Sequence, residues 1–165
     1  MFTSLLARKE KIKRFGNGYQ LLQKVIQPLQ REVLFFRARR NVWNINEIVI
    51  HIADLEAGAY VNFRRAIAEP TETIFAFDKD LWVESLGYYS QPLEASLKLF
   101  RLLRASNYLL LKNIPSDAWL NTVNYQRHGQ ISLEDLMDLY DQQLSKAFEE
   151  IEDIHSAWKK QQVNI

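Results

Sequence analysis

The stretch that decides the fold reads Asn44-Ile45-Asn46-Glu47-Ile48-Val49-Ile50-His51-Ile52-Ala53-Asp54-Leu55-Glu56. Asn44 is a helix-capping residue type, and Glu47 three positions later is placed to return the contact of a capping box. Beyond it Ile48, His51, Ile52, Leu55, Ala59 and Phe63 recur at three- and four-residue steps, the period of an amphipathic helix. Pro70 bounds the run. A histidine on the apolar stripe of such a helix must hydrogen-bond or bind something, because an unpaired polar group there costs a few kcal/mol.

Outward from this helix the same period recurs. Leu22, Val25, Ile26, Leu29, Val33 and Phe36 predict a helix over residues 17–36, with Pro28 marking a kink or a late start. Pro92 opens a third helix that carries Leu93, Leu97, Phe100, Leu103, Leu110 and Leu111 towards Ile114, and Pro115 stops it. Asp117-Ala118-Trp119 adds a single helical turn, and residues 121–130, polar and containing Gly129, read as a connecting loop. Ser132 with Asp135 resembles the N-cap of a fourth helix built on Leu133, Leu136, Tyr140, Leu144, Ala147, Ile151, Ile154 and Trp158. Between the second and third helices, residues 71–89 carry Phe75, Phe77, Trp82, Tyr88 and Tyr89. A connection that long either walls a site or caps the end of the bundle. The fold class is all-α, a four-helix bundle with a long crossover between the second and third helices, in one domain over residues 1–165.

Composition agrees and excludes several classes. The 165 residues are 47% hydrophobic and 25% charged, ordinary for a globular chain, and only 5 Gly and 4 Pro argue against a turn-rich β sandwich. Cysteine is absent, which removes disulfides, thiolate zinc sites and thiol nucleophiles together. No apolar run approaches the roughly 18–20 residues of a membrane helix. The opening residues are too few and too soon charged for a secretory signal, so a cytoplasmic location is expected. The net charge of +1 conceals an asymmetry: residues 1–40 hold ten Lys/Arg against two acids, a net of +8, and the remainder holds eleven against eighteen, a net of −7. The basic segment 1–16 either pairs with the acidic remainder or is solvated. Nucleic acid is not expected as a partner, because no recognition motif accompanies the charge.

Chemistry has few candidates. The histidines are His51, His128 and His155. Asp54, three residues after His51, is placed either to orient the imidazole or to face water. The run Glu149, Glu150, Glu152, Asp153 reads as a solvated stripe. No phosphate-cradling glycine loop, nucleophile elbow or HExxH pair occurs.

The stretch from Trp43 to Glu56 resembles the signature of the DinB-like superfamily of bacterial four-helix bundles. The likeness continues through residues 77–82, Phe100-Arg101-Leu102-Leu103-Arg104 and residues 129–140, and covers about 17–155. The resemblance implies a divalent metal, nickel or zinc, held by three histidines in metal-dependent hydrolases and thiol-dependent transferases. His51 matches the first ligand. The other two, four residues apart on the last helix, match Gln143 and Ala147 here, so one imidazole is replaced by a carboxamide and one is lost. Three imidazoles and an open position acidify water; one imidazole does not hold the ion at useful affinity.

The reading that follows is a divergent member with a degenerate metal site and no cofactor. It binds a small organic ligand or a protein partner in the relict pocket, for which His51, Asp54, Trp82, Tyr140 and Gln143 are the candidates. His51 and Gln143 are expected to hydrogen-bond across the core. The alternative is a metal-dependent hydrolase or thiol transferase rebuilt on substitute ligands for zinc or nickel, with His128, Asp54 or Asp141 as the substitutes. The resemblance also allows a homodimer through helix faces.

Overall fold

In the computed structural model, which describes residues 5–74, 76–126 and 128–163, four long helical runs lie side by side. The first is α1 (Leu5–Gly16) continued by α2 (Gly18–Ile26); a short α3 (Arg31–Leu34) follows, and then α4 (Ile45–Ala68). The crossover contains β1 (Thr73–Ile74) and α5 (Lys79–Ser85), and leads through a 3-10 turn at Tyr88–Ser90 into α6 (Leu93–Asn113). A second 3-10 turn, Ser116–Leu120, precedes β2 (Thr122–Tyr125) and β3 (Gly129–Ser132), and α7 (Leu133–Val163) completes the bundle.

The capping box forms as read. The Asn44 side chain accepts from the Glu47 backbone N–H at 2.9 Å, and the Glu47 carboxylate accepts from the Asn44 N–H at 2.9 Å. Ser132 and Asp135 make the same reciprocal pair at the start of α7. Three expectations need correction. The helix over residues 17–36 ends at Ile26, because Pro28 has no N–H to donate and its ring would meet the carbonyl four residues back. The chain turns and resumes only as α3. Residues 5–16, read as a basic leading segment, are helical and lengthen the first run of the bundle. Residues 121–130 are not a plain loop: β2 and β3 pair antiparallel, Thr122 opposite Ser132, and β1 joins β2 in parallel with Thr73 opposite Asn124. Val123 and Tyr125 face inward and Asn124 between them faces water, an alternation too short to stand out in the sequence.

The basic segment does pair with the acidic remainder. Arg8 meets Glu134 at 3.1 Å, Lys11 meets Asp138 at 2.6 Å and Arg14 meets Asp141 at 2.7 Å. Both numbers of each pair rise together, so α1 and α7 run parallel.

The core has two parts. One gathers Phe15, Phe63, Leu111, Trp119, Leu133 and Leu136 around the strands, and the other gathers Leu22, Val33, Ile45, Ile52, Phe100 and Ile151 at the opposite end. Between them lies a buried ion pair, Arg104 on α6 with Glu56 on α4, at 2.7 Å with both side chains 2% exposed. Asn107 donates to the same carboxylate at 2.7 Å, and Arg104 also donates to the Phe15 carbonyl at 3.2 Å. Gly18 lets α2 approach this arginine: a Cβ there would lie 2.8 Å from Leu144 and 3.1 Å from the guanidinium.

Arg104→Ala leaves Glu56 buried without its cation and is expected to cost about 3–5 kcal/mol in urea unfolding. Leu136→Ala, at a fully buried position, is expected to cost about 2–5 kcal/mol. Leu102→Ala, on the exposed face of α6, is expected to change stability by less than about 0.5 kcal/mol.

Candidate functional site

His51 stands on the α4 stripe between two rings. Trp43 and Phe77 both meet it edge to face, with centroids 5.1 and 5.6 Å away and interplanar angles of 77°. Phe77 is held in turn by Trp82 of α5, stacked at 4.0 Å. Asp78 starts α5 by accepting from the backbone N–H groups of Asp80 and Leu81, both at 3.1 Å. The crossover therefore braces the aromatic wall through a capped turn of helix. Within this clamp the Nδ1 atom of His51 is buried, with no hydrogen-bond partner among the described residues. Burial, reinforced by the positive charge of Lys79 and opposed by Asp80, pushes the imidazole down to about 4. It is neutral at pH 7.

A cleft of about 310 Å³ opens on His51. Leu55 and Gly58 of α4 form its floor; Phe77, Lys79 and Asp80 of the crossover form one side; Tyr125 and His128 of the hairpin and Tyr140, Gln143 and Lys146 of α7 form the other. His128 lies flat on Tyr125, with ring centroids 4.9 Å apart. The Asn62 amide donates to the Tyr140 hydroxyl at 2.9 Å, and burial raises that phenol well above its ordinary value. A small recess beneath His51 reaches Ala147 and Glu150, and a wider groove of about 750 Å³ runs past Trp43 towards Arg39, Asp153 and Lys160.

His51, Tyr140, Gln143 and His128 all line this cleft. Two pocket candidates do not. Asp54 makes no contact with the imidazole: its half-buried carboxylate, raised by burial, accepts a hydrogen bond from the hydroxyl of Tyr88. Trp82 stands behind Phe77 rather than in the wall of the cleft. No hydrogen bond joins His51 to Gln143 among the described residues, since Gln143 is exposed at the rim. Asp141 points away and is taken by Arg14. The aromatic crossover divides its work: Phe77 walls the site, Tyr88 is buried and Tyr89 is exposed, while Phe75 lies outside the described residues. Other polar members of the cleft, among them Lys79, Asp80, Tyr125 and Lys146, were not among the site residues read from the sequence. Lys146 was legible in principle, because it falls three residues after Gln143 on the same helix face.

The donor set does not fit a divalent ion held by three imidazoles. Ala147 presents a methyl group, Gln143 a neutral amide, and among the described residues no three His, Asp or Glu side chains converge as a metal site.

Comparison with known proteins agrees with this architecture. The profile of the DinB superfamily matches residues 14–141. A protein of Oceanobacillus iheyensis named "putative metal-dependent hydrolase" is 28% identical over 121 residues, which are 73% of this chain and 70% of that one. Among solved structures, YfiT from Bacillus subtilis, described as a probable metal-dependent hydrolase with an unusual four-helix bundle topology, superposes with a TM-score of 0.87. The two are 19% identical over 96% of this chain and 91% of YfiT. A mycothiol-dependent maleylpyruvate isomerase superposes with a TM-score of 0.71 at 10% identity, over 87% of this chain and 60% of its own. The chain belongs to the DinB superfamily. No helix among the described residues is long and apolar enough to cross a membrane.

The depressed histidine has a measurable consequence. An unfolded chain binds a proton at this imidazole near pH 6.5, whereas the folded one does so only near pH 4. Between these values the unfolded state holds more protons, so His51 favours unfolding progressively as pH falls from about 6.5 to 4. The expected loss is of order 2–3 kcal/mol, read as the difference between wild type and His51→Gln in urea melts across that range.

Proposed function

We propose that this member of the DinB superfamily binds a small organic ligand in the cleft around His51 without a bound metal ion. The observation that carries the proposal is the state of His51 itself. It is a neutral imidazole clamped by aromatic rings and lining the cleft, while Gln143 in the same cleft and Ala147 in the adjoining recess supply a carboxamide and a methyl group. The cleft volume of about 310 Å³ lies at the lower end of the range for small-molecule sites. Phe77, Tyr125 and Tyr140 line it together with a larger set of polar and charged side chains.

The rival is an enzyme with substitute ligands, of the kind named for its hydrolase relatives. Linkage separates the two. An ion that binds only the folded chain raises its stability by about 2.7 kcal/mol at a hundredfold excess over Kd. Zinc or nickel is expected to leave the melting temperature of the wild type unchanged. The double variant Gln143→His with Ala147→His places two imidazoles on one helix face opposite His51, and is expected to gain a metal-dependent rise. A small-molecule melting screen completes the test, with hits expected to stabilise wild type and to lose their effect in His51→Ala. A metal-dependent rise in the wild type that His51→Ala removes would put the hydrolase or transferase reading in its place.

A further inference from the structure

We infer that Gly58 is the specificity-determining position of this cleft, left without a side chain so that a flat ring carrying a hydrogen-bond acceptor lies against α4 between Phe77 and Tyr140. The inference rests on the proposed ligand site at His51 and names the class of group it takes. The glycines of the chain single this position out. Gly16 and Gly18 stand where helices meet: a Cβ would lie 2.5 Å from the Tyr108 ring in one case and 2.8 Å from Leu144 in the other. Gly87 and Gly129 turn the chain at positive φ, 60° and 70°. Gly58 answers neither demand. It lies in the body of α4, where glycine weakens a helix relative to alanine. A Cβ there would meet nothing closer than the Tyr140 hydroxyl at 3.8 Å and the Phe77 ring at 4.0 Å. Those are ordinary contact distances, so the fold has room for a methyl group that the sequence leaves out.

That room belongs to the cleft, which Gly58 lines. Its two nearest neighbours define what it takes, and both are held in place. Phe77 is braced from behind by Trp82, stacked at 4.0 Å. Tyr140 packs edge to face on Phe63 with centroids 5.5 Å apart, and its hydroxyl accepts from the Asn62 amide at 2.9 Å. Accepting that bond leaves the hydroxyl its own proton to donate, and burial keeps the phenol protonated, so Tyr140 presents a donor beside Gly58. A group over Gly58 therefore touches an aromatic carbon on one side and a hydroxyl donor on the other. A planar ring with a carbonyl substituent meets both: its face lies on the α4 backbone, its edge meets Phe77 and its carbonyl accepts from Tyr140. A side chain at position 58 would stand where that ring lies. Neither contact carries charge, so an uncharged group satisfies them.

The test uses the full chain and two defined probes, titrated by NMR. Benzamide carries the flat ring and the acceptor; cyclohexanecarboxamide carries the same acceptor on a ring that is not flat. Benzamide is expected to bind about fivefold more tightly. Gly58→Ala is expected to raise the melting temperature by about 2–4 °C, because alanine strengthens the helix. The same variant should weaken benzamide about tenfold, because its methyl group takes the space. Tyr140→Phe should weaken both carboxamides roughly fivefold, while Val61→Ala, on the exposed face of α4, should leave both affinities unchanged. A melting temperature that falls in Gly58→Ala would mean that the fold itself needs the glycine, and would overturn the inference. So would benzamide that fails to bind, binds no better than cyclohexanecarboxamide, or is indifferent to Gly58→Ala or Tyr140→Phe. Those outcomes leave the metal-free site standing, whereas a His51-dependent response to zinc or nickel would remove the reading beneath it.

Discussion

The bundle depends on one buried charge pair. Glu56 and Arg104 lie where the two halves of the core meet, and neither is reached by water. Burial disfavours the charged form of each, raising the carboxyl and lowering the guanidinium; the partner's charge and the Asn107 amide oppose that shift. Such a pair contributes little net stability over an apolar replacement, but it tolerates almost no displacement, because either ion left alone in the core is costly. Arg104 also lies over the faces of Phe15 and Phe100, at 3.9 and 4.9 Å, and donates to the Phe15 carbonyl. One guanidinium thus fixes α6 against α4 and holds the end of α1 in place.

That constraint sets the position of the site. Glu56 follows His51 by little more than one turn of α4, so registering Glu56 on α6 also fixes the height of the imidazole. The crossover then closes over it. Asn46, buried at the start of α4, donates to the carbonyls of Tyr88 and Gln91 and pins the far end of the crossover, while Tyr88 bonds Asp54. With both ends held, Phe77 and Trp82 close against His51 as a stacked pair. The histidine's low proton affinity follows from this enclosure, with Lys79 adding to it.

The long helices and their caps were legible because period and capping chemistry are local. Asn44 with Glu47 and Ser132 with Asp135 announce their own geometry, and the stripe from Leu133 to Ile154 points one way throughout. The polar members of the core were harder to see. Glu56 sits in phase with Ile52, Ala59 and Phe63, and Arg104 and Asn107 sit in phase with Phe100 and Leu111. That phase marks them as buried but does not say that they meet. Asp54 shows the same limit from the other side: its spacing allowed a contact with His51, and a tyrosine 34 residues away claimed it instead. The β2–β3 hairpin was missed because four residues of alternation carry too little pattern. Of the candidate site, His51, Tyr140 and Gln143 were readable from helix phase, and the crossover lysine Lys79 was not.

The central claim is that the cleft works through a neutral imidazole rather than through a bound ion, because the positions facing His51 offer an amide and a methyl group. Elemental analysis of the full chain, purified without chelators and without an affinity tag that binds metal, tests it most directly. The account predicts zinc and nickel far below one equivalent per chain, and the same content in His51→Ala. One tightly held ion per chain, lost in His51→Ala, would contradict it.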